Sequence, residues 1–590
     1  MEKLIFLDIE EFRKLKESDR KNIILLEYPP EDFSEIKLET IEKFNIEEFF
    51  PVNLLERLEK RSEKTLEEFY KIINGKVTYK NIDLFSVIKN RLLRYFDKYV
   101  QFIDILDYII KTNKPKKVLI RYHKREIKRD EFLDNPELSV LILKEICSAR
   151  NIPIKIEILK EEEKLVNINI KTGMLNLLGT LQNAYFKTIF LNKTKKKKIL
   201  FIGGKNAYLP ILEYLKDKAI VIRGGVNTGQ IFFNRYQKYY LTFGNKPKNT
   251  NFKFDKSKIY QDISSLKYKG YSFYNIILPN LDYFFNTYSK ILMGWIDFTY
   301  KIEPHIDAVV TTNDTIALEQ IIIEVLKKCK KRSYVIQHGY TTLSEGFFPL
   351  VESKMLANKM FVWGNDTKKW MIKEGLKEEN LIITGSIKFD EYLKKDKYIN
   401  IKKEFNIPEN KKIIFFIPEP NKDLKIVRCI LSNKELTELY RILFDTIEEL
   451  KEYFLIIKPH PSDKYINLPK TILNKKGISN CIILDKSFSL KPLLQQSDLI
   501  ITIGSTATLE AMFFKKPIII LNFFNKEQLV PFAERGMCVY INNKKRLRKG
   551  IINSIYNKER LVKDYEKDFG DYVLNDGKAY KRISDAILKE

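Results

Sequence analysis

Only four histidines occur in the 590 residues, and two of them close apolar runs, where a buried strand would deliver an imidazole to a sheet edge. His338 ends Tyr334-Val335-Ile336-Gln337-His338 and is followed by Gly339, which allows a sharp turn. An imidazole titrates near neutrality, so His338 is a candidate general base that takes a proton from an attacking hydroxyl. His460 lies in Leu455-Ile456-Ile457-Lys458-Pro459-His460-Pro461, where a proline on each side restricts the backbone and fixes the pose of the ring. Lys458 and His460 together suit an anionic phosphate. The third signal is Leu499-Ile500-Ile501-Thr502-Ile503-Gly504-Ser505-Thr506-Ala507-Thr508-Leu509-Glu510, a buried strand, a glycine turn and a hydroxyl pair opening a helix. Gly504 lets a ligand approach the backbone, Ser505 and Thr506 donate to an anion, and Glu510 is placed to accept ribose hydroxyls. Each motif also has a plain structural reading: a capped helix, a strand-ending turn, or a histidine bonded to a carbonyl. His123, after Arg121 and Tyr122 at another strand end, is a weaker candidate, and His305 reads as structural.

No Asp-x-Asp pair occurs, so no seat for a metal bridging a diphosphate is expected, and neither metal nor cofactor is called for. Charge on a leaving group would then fall to Lys458, His460 and the helix end. The glycine stretches Gly203-Gly204-Lys205 and Gly224-Gly225-Val226-Asn227-Thr228-Gly229 follow apolar strands but complete no dinucleotide or P-loop pattern. They read as turns on an acceptor side. Five scattered cysteines without a C-x-x-C spacing indicate neither a disulfide framework nor a zinc site, and imply a reducing compartment. The start of the chain lacks a signal-peptide pattern, and the most apolar stretch, Leu499 to Phe524, is broken by Glu510, Lys515, Lys516 and Pro517. A cytoplasmic protein is expected, with at most peripheral contact at the inner membrane face.

These residues need elements to hold them. Short apolar runs alternate with helical patterns over most of the length, the mark of parallel sheets with crossover helices. Strands are expected at Ile23 to Leu26, Val118 to Arg121, Ile199 to Ile202, Ala308 to Thr311 and Tyr334 to Ile336 in the first half. In the second half they are expected at Met360 to Trp363, Leu381 to Thr384, Lys412 to Ile417, Phe454 to Lys458, Cys481 to Leu484, Leu499 to Ile503 and Ile518 to Leu521. Two segments, Ile103 to Ile158 and Ile296 to Gln337, run alike through helix, turn, strand, helix, turn and strand. The expected division is an accessory region 1–80, an N-terminal Rossmann-like acceptor domain 81–388 with an insertion near 230–290, a C-terminal Rossmann-like donor domain 389–545, and a helical tail 546–590 that packs back across the cleft. Hydrophobic residues at 44% and aromatics at 13% exclude global disorder. Lys plus Arg outnumber Asp plus Glu, 104 to 77, and the net charge of +27 favours anionic partners.

The order of the motifs, from the His-Gly strand end to Lys458-Pro459-His460-Pro461 and Gly504-Ser505-Thr506 with Glu510, resembles the GT-B enzymes of surface polysaccharide synthesis. That group includes CDP-glycerol glycerophosphotransferases and capsule Kdo and sialic acid transferases, with a more distant likeness to UDP-N-acetylglucosamine 2-epimerases. The resemblance spans about 300–530. It implies two doubly wound domains facing a cleft, His338 as base, His460 on donor phosphate, and Ser505, Thr506 and Glu510 on donor phosphate and ribose. The acidic Asp-Asp-Gly or Glu-Asp-Gly motif that serves some sialyltransferases as base is missing. The expected activity is therefore transfer of a sugar from a CMP-, CDP- or UDP-linked donor to a surface glycan or lipid-linked acceptor. The first alternative is CDP-glycerol-type polyol-phosphate transfer, and the second a non-catalytic basic protein of nucleic acid or membrane surfaces. Diffuse charge and the absence of clustered Arg with aromatics speak against nucleic acid as partner.

Overall fold

A computed structural model describes residues 2–7, 11, 14, 22–25, 55–123, 137–159, 195–203, 208–225, 239–244, 252–313, 316–340, 355–394, 399–418, 431, 433–460, 467–526, 528 and 530–589. Three parallel sheets organise these residues. The central sheet has seven strands in the order Leu381–Ile383, Lys359–Val362, Arg332–Ile336, Ala308–Thr311, Lys198–Ile202, Ile220–Gly225 and Tyr239–Thr242. The C-terminal sheet has six, in the order Cys481–Ile483, Tyr453–Ile457, Lys412–Ile417, Leu499–Thr502, Ile518–Leu521 and Val539–Ile541. The inner strands are four to six residues of almost pure Ile, Val, Leu and Phe. A strand covered by helices on both faces needs that composition.

In each sheet the chain order reverses once: between Lys198–Ile202 and Ala308–Thr311 in the central sheet, and between Lys412–Ile417 and Leu499–Thr502 in the C-terminal one. Crevices open beyond the carboxyl ends of strands at such reversals, where the crossover helices leave on opposite faces. His338 follows the strand neighbouring the first reversal, and Gly504 follows a strand that borders the second.

A third sheet, of order Ile23–Leu25, Leu4–Leu7, Val118–His123 and Ile154–Leu159, is also parallel. It straddles residue 80, so the first strands belong with 118–159 and the expected accessory region 1–80 is not a separate body. Alternation along its first strand sends Leu4 and Phe6 into the apolar cluster of the N-terminal half, and Ile5 and Leu7 into that of the C-terminal sheet. The segment expected as an insertion near 230–290 contributes Ile259, Phe273, Ile276 and Phe284 to the same cluster as Phe69, Phe96 and Ile103. Phe273, Phe284, Phe285 and Tyr288 are core, so this part of the segment belongs to the N-terminal body. No helix among the described residues is long and apolar enough to cross a membrane.

The tail returns to the N-terminal half. Ile583 and Ile587 of the helix Ala579–Lys589 are fully buried in one cluster with Ile199, Phe201 and Tyr334 of the central sheet. Tyr214 donates to Asp585 at 2.9 Å, and the Arg582 Nε donates to the Thr384 carbonyl at 2.8 Å. Backbone crowding explains two glycines there: a Cβ on Gly364 would strike the carbonyls of Asp571 and Tyr572, and one on Gly385 that of Leu574.

Candidate functional site

The C-terminal side of the site is built on strand register. Phe416 lies opposite Ile457 on one side, and Ile417 opposite Thr502 on the other. Lys458 is therefore level with Thr502 across one intervening strand, about 10 Å away at ordinary strand spacing. Beyond Thr502 the chain turns through Gly504 at φ +102°, a conformation natural only to glycine. A Cβ there would also come within 2.9 Å of the Gln528 Oε1. The Thr502 hydroxyl accepts from the Gly504 amide at 3.2 Å, and Ser505 Oγ accepts from the Ala507 amide at 3.3 Å. Ser505 is half-buried and Thr506 exposed, so both hydroxyls remain within reach of a ligand. The helix that follows, Ala507–Phe513, is only seven residues long, so the hydroxyls and turn amides matter more here than any macrodipole.

Lys458 is 9% exposed, and among the described residues its Nζ donates to the Pro459 carbonyl, at 3.5 Å. Burial pushes its pKa below the ordinary lysine value; the Glu510 charge works against that shift and the Lys388 charge with it. A buried ammonium of this kind gains from an incoming phosphate. His460, two residues on, is exposed, and Pro461 lies outside the described residues.

Glu510 sits differently from the expectation. It is 5% exposed, with Lys388 Nζ 2.5 Å from Oε1 and the Tyr392 hydroxyl donating to Oε2. Both partners stand on the helix Ile387–Leu393, directly after the last strand of the central sheet. Burial, with the Glu510 charge beside it, pushes the Tyr392 pKa far up, so the phenol stays a donor. Glu510 thus ties the donor-side helix to the segment joining the two sheets.

On the N-terminal side, Gln337 is buried and holds the strand end in place. Its Oε1 accepts from the Trp363 amide at 2.7 Å, its Nε2 donates to the Gly339 carbonyl at 2.9 Å, and its own carbonyl accepts from the Trp363 indole at 2.9 Å. His338, next in sequence, is exposed. Tyr340 then turns back in and joins the cluster that contains Ala507 and Leu509, which flank the C-terminal turn. Its ring packs 5.3 Å from Phe532 and 5.8 Å from Tyr572. The loop that carries His338 is therefore anchored on the donor-side lobe.

The glycine turns of the N-terminal half form a buried polar floor at the central reversal. Arg223, 5% exposed, donates to the Gly203 carbonyl at 3.1 Å and lies 5.3 Å from the Tyr208 ring, while Glu319 Oε1 would be 3.2 Å from a Cβ on Gly203. Gly204, Lys205 and residues 226–229 lie outside the described residues. His123 ends a strand that borders the reversal of the third sheet, and His305 closes a short helical turn before Ala308–Thr311. Sequence reading missed Lys388, Tyr392, Gln528, Asp366 and Arg535, because each reaches the site from a segment without a motif of its own.

Two doubly wound parallel sheets, each followed at one strand end by a histidine, and a tail that returns to the first make a two-domain α/β architecture. Residues 362–589 match the family model described as CDP-Glycerol:Poly(glycerophosphate) glycerophosphotransferase. The match takes in Lys458, His460, Gly504, Ser505, Thr506 and Glu510 and begins beyond His338, whose assignment rests on the motif and the geometry above. A search of curated proteins found no significant match. Among solved structures, the chain is similar to UDP-GlcNAc 2-epimerase from Neisseria meningitidis bound to UDP-GlcNAc, at 15% identity and TM-score 0.46 over 67% of this chain and 100% of that one. It is similar to UDP-GlcNAc 2-epimerase from Methanocaldococcus jannaschii at 17% and 0.42, over 67% and 100%. It is also similar to the wall teichoic acid polymerase TagF at 16% and 0.39, over 71% and 95%.

Proposed function

We propose that the protein transfers a polyol phosphate from a cytidine-diphosphate-linked donor to a hydroxyl of a surface polymer. The observation that carries this reading is the packing of Tyr340, two residues from His338, in the apolar cluster of the donor-side lobe that also holds Ala507 and Leu509. It ties the loop of the base candidate to the lobe whose motifs suit phosphate. The match of 362–589 favours polyol phosphate over the sugar that the motifs alone put first.

The acceptor oxygen attacks the β-phosphorus, His338 takes the hydroxyl proton, the bond from that phosphorus to the bridging oxygen breaks, and CMP leaves with the bonding electrons. His460 and Lys458 hold the phosphates and offset the charge developing on CMP; Ser505 and Thr506 donate to phosphate oxygens. In this reading Glu510 reaches ribose only by exchanging Lys388 or Tyr392 for the sugar hydroxyls. No metal is required, since the cationic side chains do that work. The acceptor is presented from the cytoplasmic side of a membrane, a placement supported by the net charge of +27.

The test is a thermal-shift series with CMP, CDP, UDP and GDP, then transfer from CDP-glycerol to a glycerophosphate-primed acceptor, followed by ³¹P NMR with and without EDTA. Cytidine nucleotides should stabilise the fold by roughly 2.7 kcal/mol at a hundred times Kd, and transfer should survive EDTA. Stabilisation by UDP alone, with no CDP-glycerol turnover, would return the reading to sugar transfer.

A further inference from the structure

We infer that Arg535 is a positioning residue for His338, acting across the two lobes through Asp366 and Tyr340. The inference rests on the reading of His338 as the base.

The chain of contacts is continuous. Arg535 lies on the segment between the strands Ile518–Leu521 and Val539–Ile541 of the C-terminal sheet. Its Nη1 is 2.8 Å from Asp366 Oδ1 and 2.5 Å from the Tyr572 hydroxyl, and its guanidinium lies 5.4 Å from the Tyr572 ring centroid. Asp366 opens the helix Asn365–Lys373, which follows a strand of the central sheet. Its other oxygen accepts from the Tyr340 hydroxyl. Tyr340 thus has its hydroxyl tied to a carboxylate that an arginine of the opposite lobe holds, and its ring packed on Phe532 and Tyr572 of that lobe and the tail.

Upstream, Gln337 is fixed by Trp363 within the central sheet. His338 and Gly339 are the two residues between these anchors: one set by the N-terminal lobe, the other by its partner lobe. Burial works against the charge on Arg535, and the bonds to Tyr572 and Asp366 outweigh it and raise its pKa. The guanidinium therefore stays charged at any pH at which the enzyme works. A lysine would keep the charge and lose the fixed planar set of donors of the guanidinium.

A contact that merely held the lobes together would affect folding and nucleotide binding. A positioning contact affects turnover and the order of one loop, since a misplacement of about 1 Å costs up to roughly 10²-fold in rate. Three variants, Arg535→Met, Asp366→Asn and Tyr340→Phe, are compared with His338→Ala. The readouts are kcat for CDP-glycerol transfer, Kd for CDP, and hydrogen exchange of the 335–340 backbone in the full chain. Tyr340→Phe keeps the ring packing, so it remains informative if Arg535→Met folds poorly.

The expected result is a kcat lower by about ten- to a hundred-fold in each variant, an unchanged CDP Kd, and faster exchange at 338–340. The double variant Tyr340→Phe/Arg535→Met should be no worse than the poorer single one, as for members of one network. If His338→Ala keeps full turnover, the base assignment fails by itself. If His338→Ala is inactive while Arg535→Met and Tyr340→Phe turn over normally with unchanged exchange, the inference is overturned. Should CDP-glycerol not be a substrate, unaltered exchange at 338–340 in both variants overturns it equally.

Discussion

The two histidine strand ends are held in opposite ways. His460 is set by its own lobe: two prolines restrict the chain around it, and its neighbour Lys458 is buried in the sheet that carries it. His338 is set by both lobes, through Gln337 on one side and Tyr340 on the other. The contrast follows from the tasks proposed for them. A group that binds phosphate needs a fixed pose relative to the donor fold alone, whereas a base that acts on an acceptor must be placed relative to a donor bound in the other lobe.

The sharpest way to break the contrast is kinetic. His338→Ala should lower turnover by about 10²- to 10⁴-fold with CDP affinity intact, since a general base acts in the transition state. His460→Ala should weaken CDP binding as well as turnover. Initial rates and calorimetric titrations on both variants decide it, and equal losses of affinity would erase the distinction.

Glu510 sharpens the donor side. Glu510→Gln cannot serve both Lys388 and Tyr392, and leaving a buried donor poorly matched costs about 1–3 kcal/mol. Urea denaturation should show that loss in stability without ligand. A variant as stable as the parent but with weaker CDP binding would instead make ribose the main partner of Glu510. Gly504→Ala should cost about 1 kcal/mol or more, because alanine is strained at φ +102° and its methyl crowds Gln528. Its effect on CDP affinity should exceed its effect on the melting temperature.

The smallest effect is pH-dependent. The lowered pKa of Lys458 means that its charged form is disfavoured in the free fold, so this group costs stability below its folded pKa. The cost disappears as pH rises toward the unfolded lysine value. Bound phosphate reverses the preference. CDP binding in alkaline buffer should therefore take up protons, and affinity should fall as pH rises through the Lys458 pKa; titration in buffers of different ionisation enthalpy reads this, and Lys458→Met should abolish it.

Much of this was legible in the sequence, for a physical reason. Parallel strands buried on both faces are written as short runs such as Lys412–Ile417 and Leu499–Thr502, and their ends fall where glycine, proline or histidine interrupts them. The likeness of Ile103–Ile158 to Ile296–Gln337 is real: each holds a strand, helix and parallel strand, one in the third sheet and one in the central sheet. The strands Ile23 to Leu26 and Val118 to Arg121 were expected, but their pairing into a third sheet was not, because it joins segments some hundred residues apart and no local pattern carries it. Glu510 was placed on the right helix, but its partners Lys388 and Tyr392 lie more than a hundred residues away and carry no local pattern. Arg535 and Asp366 were invisible for the same reason.

The central claim is that both histidines face one donor across the two lobes, and a crystal structure of the chain with CDP-glycerol tests it most directly. The account predicts the diphosphate within hydrogen-bond distance of Lys458, His460 and Ser505, with His338 on the opposite side of the β-phosphorus. A nucleotide bound elsewhere, such as at the third sheet beside His123, or a His338 turned away from the phosphorus, would contradict it.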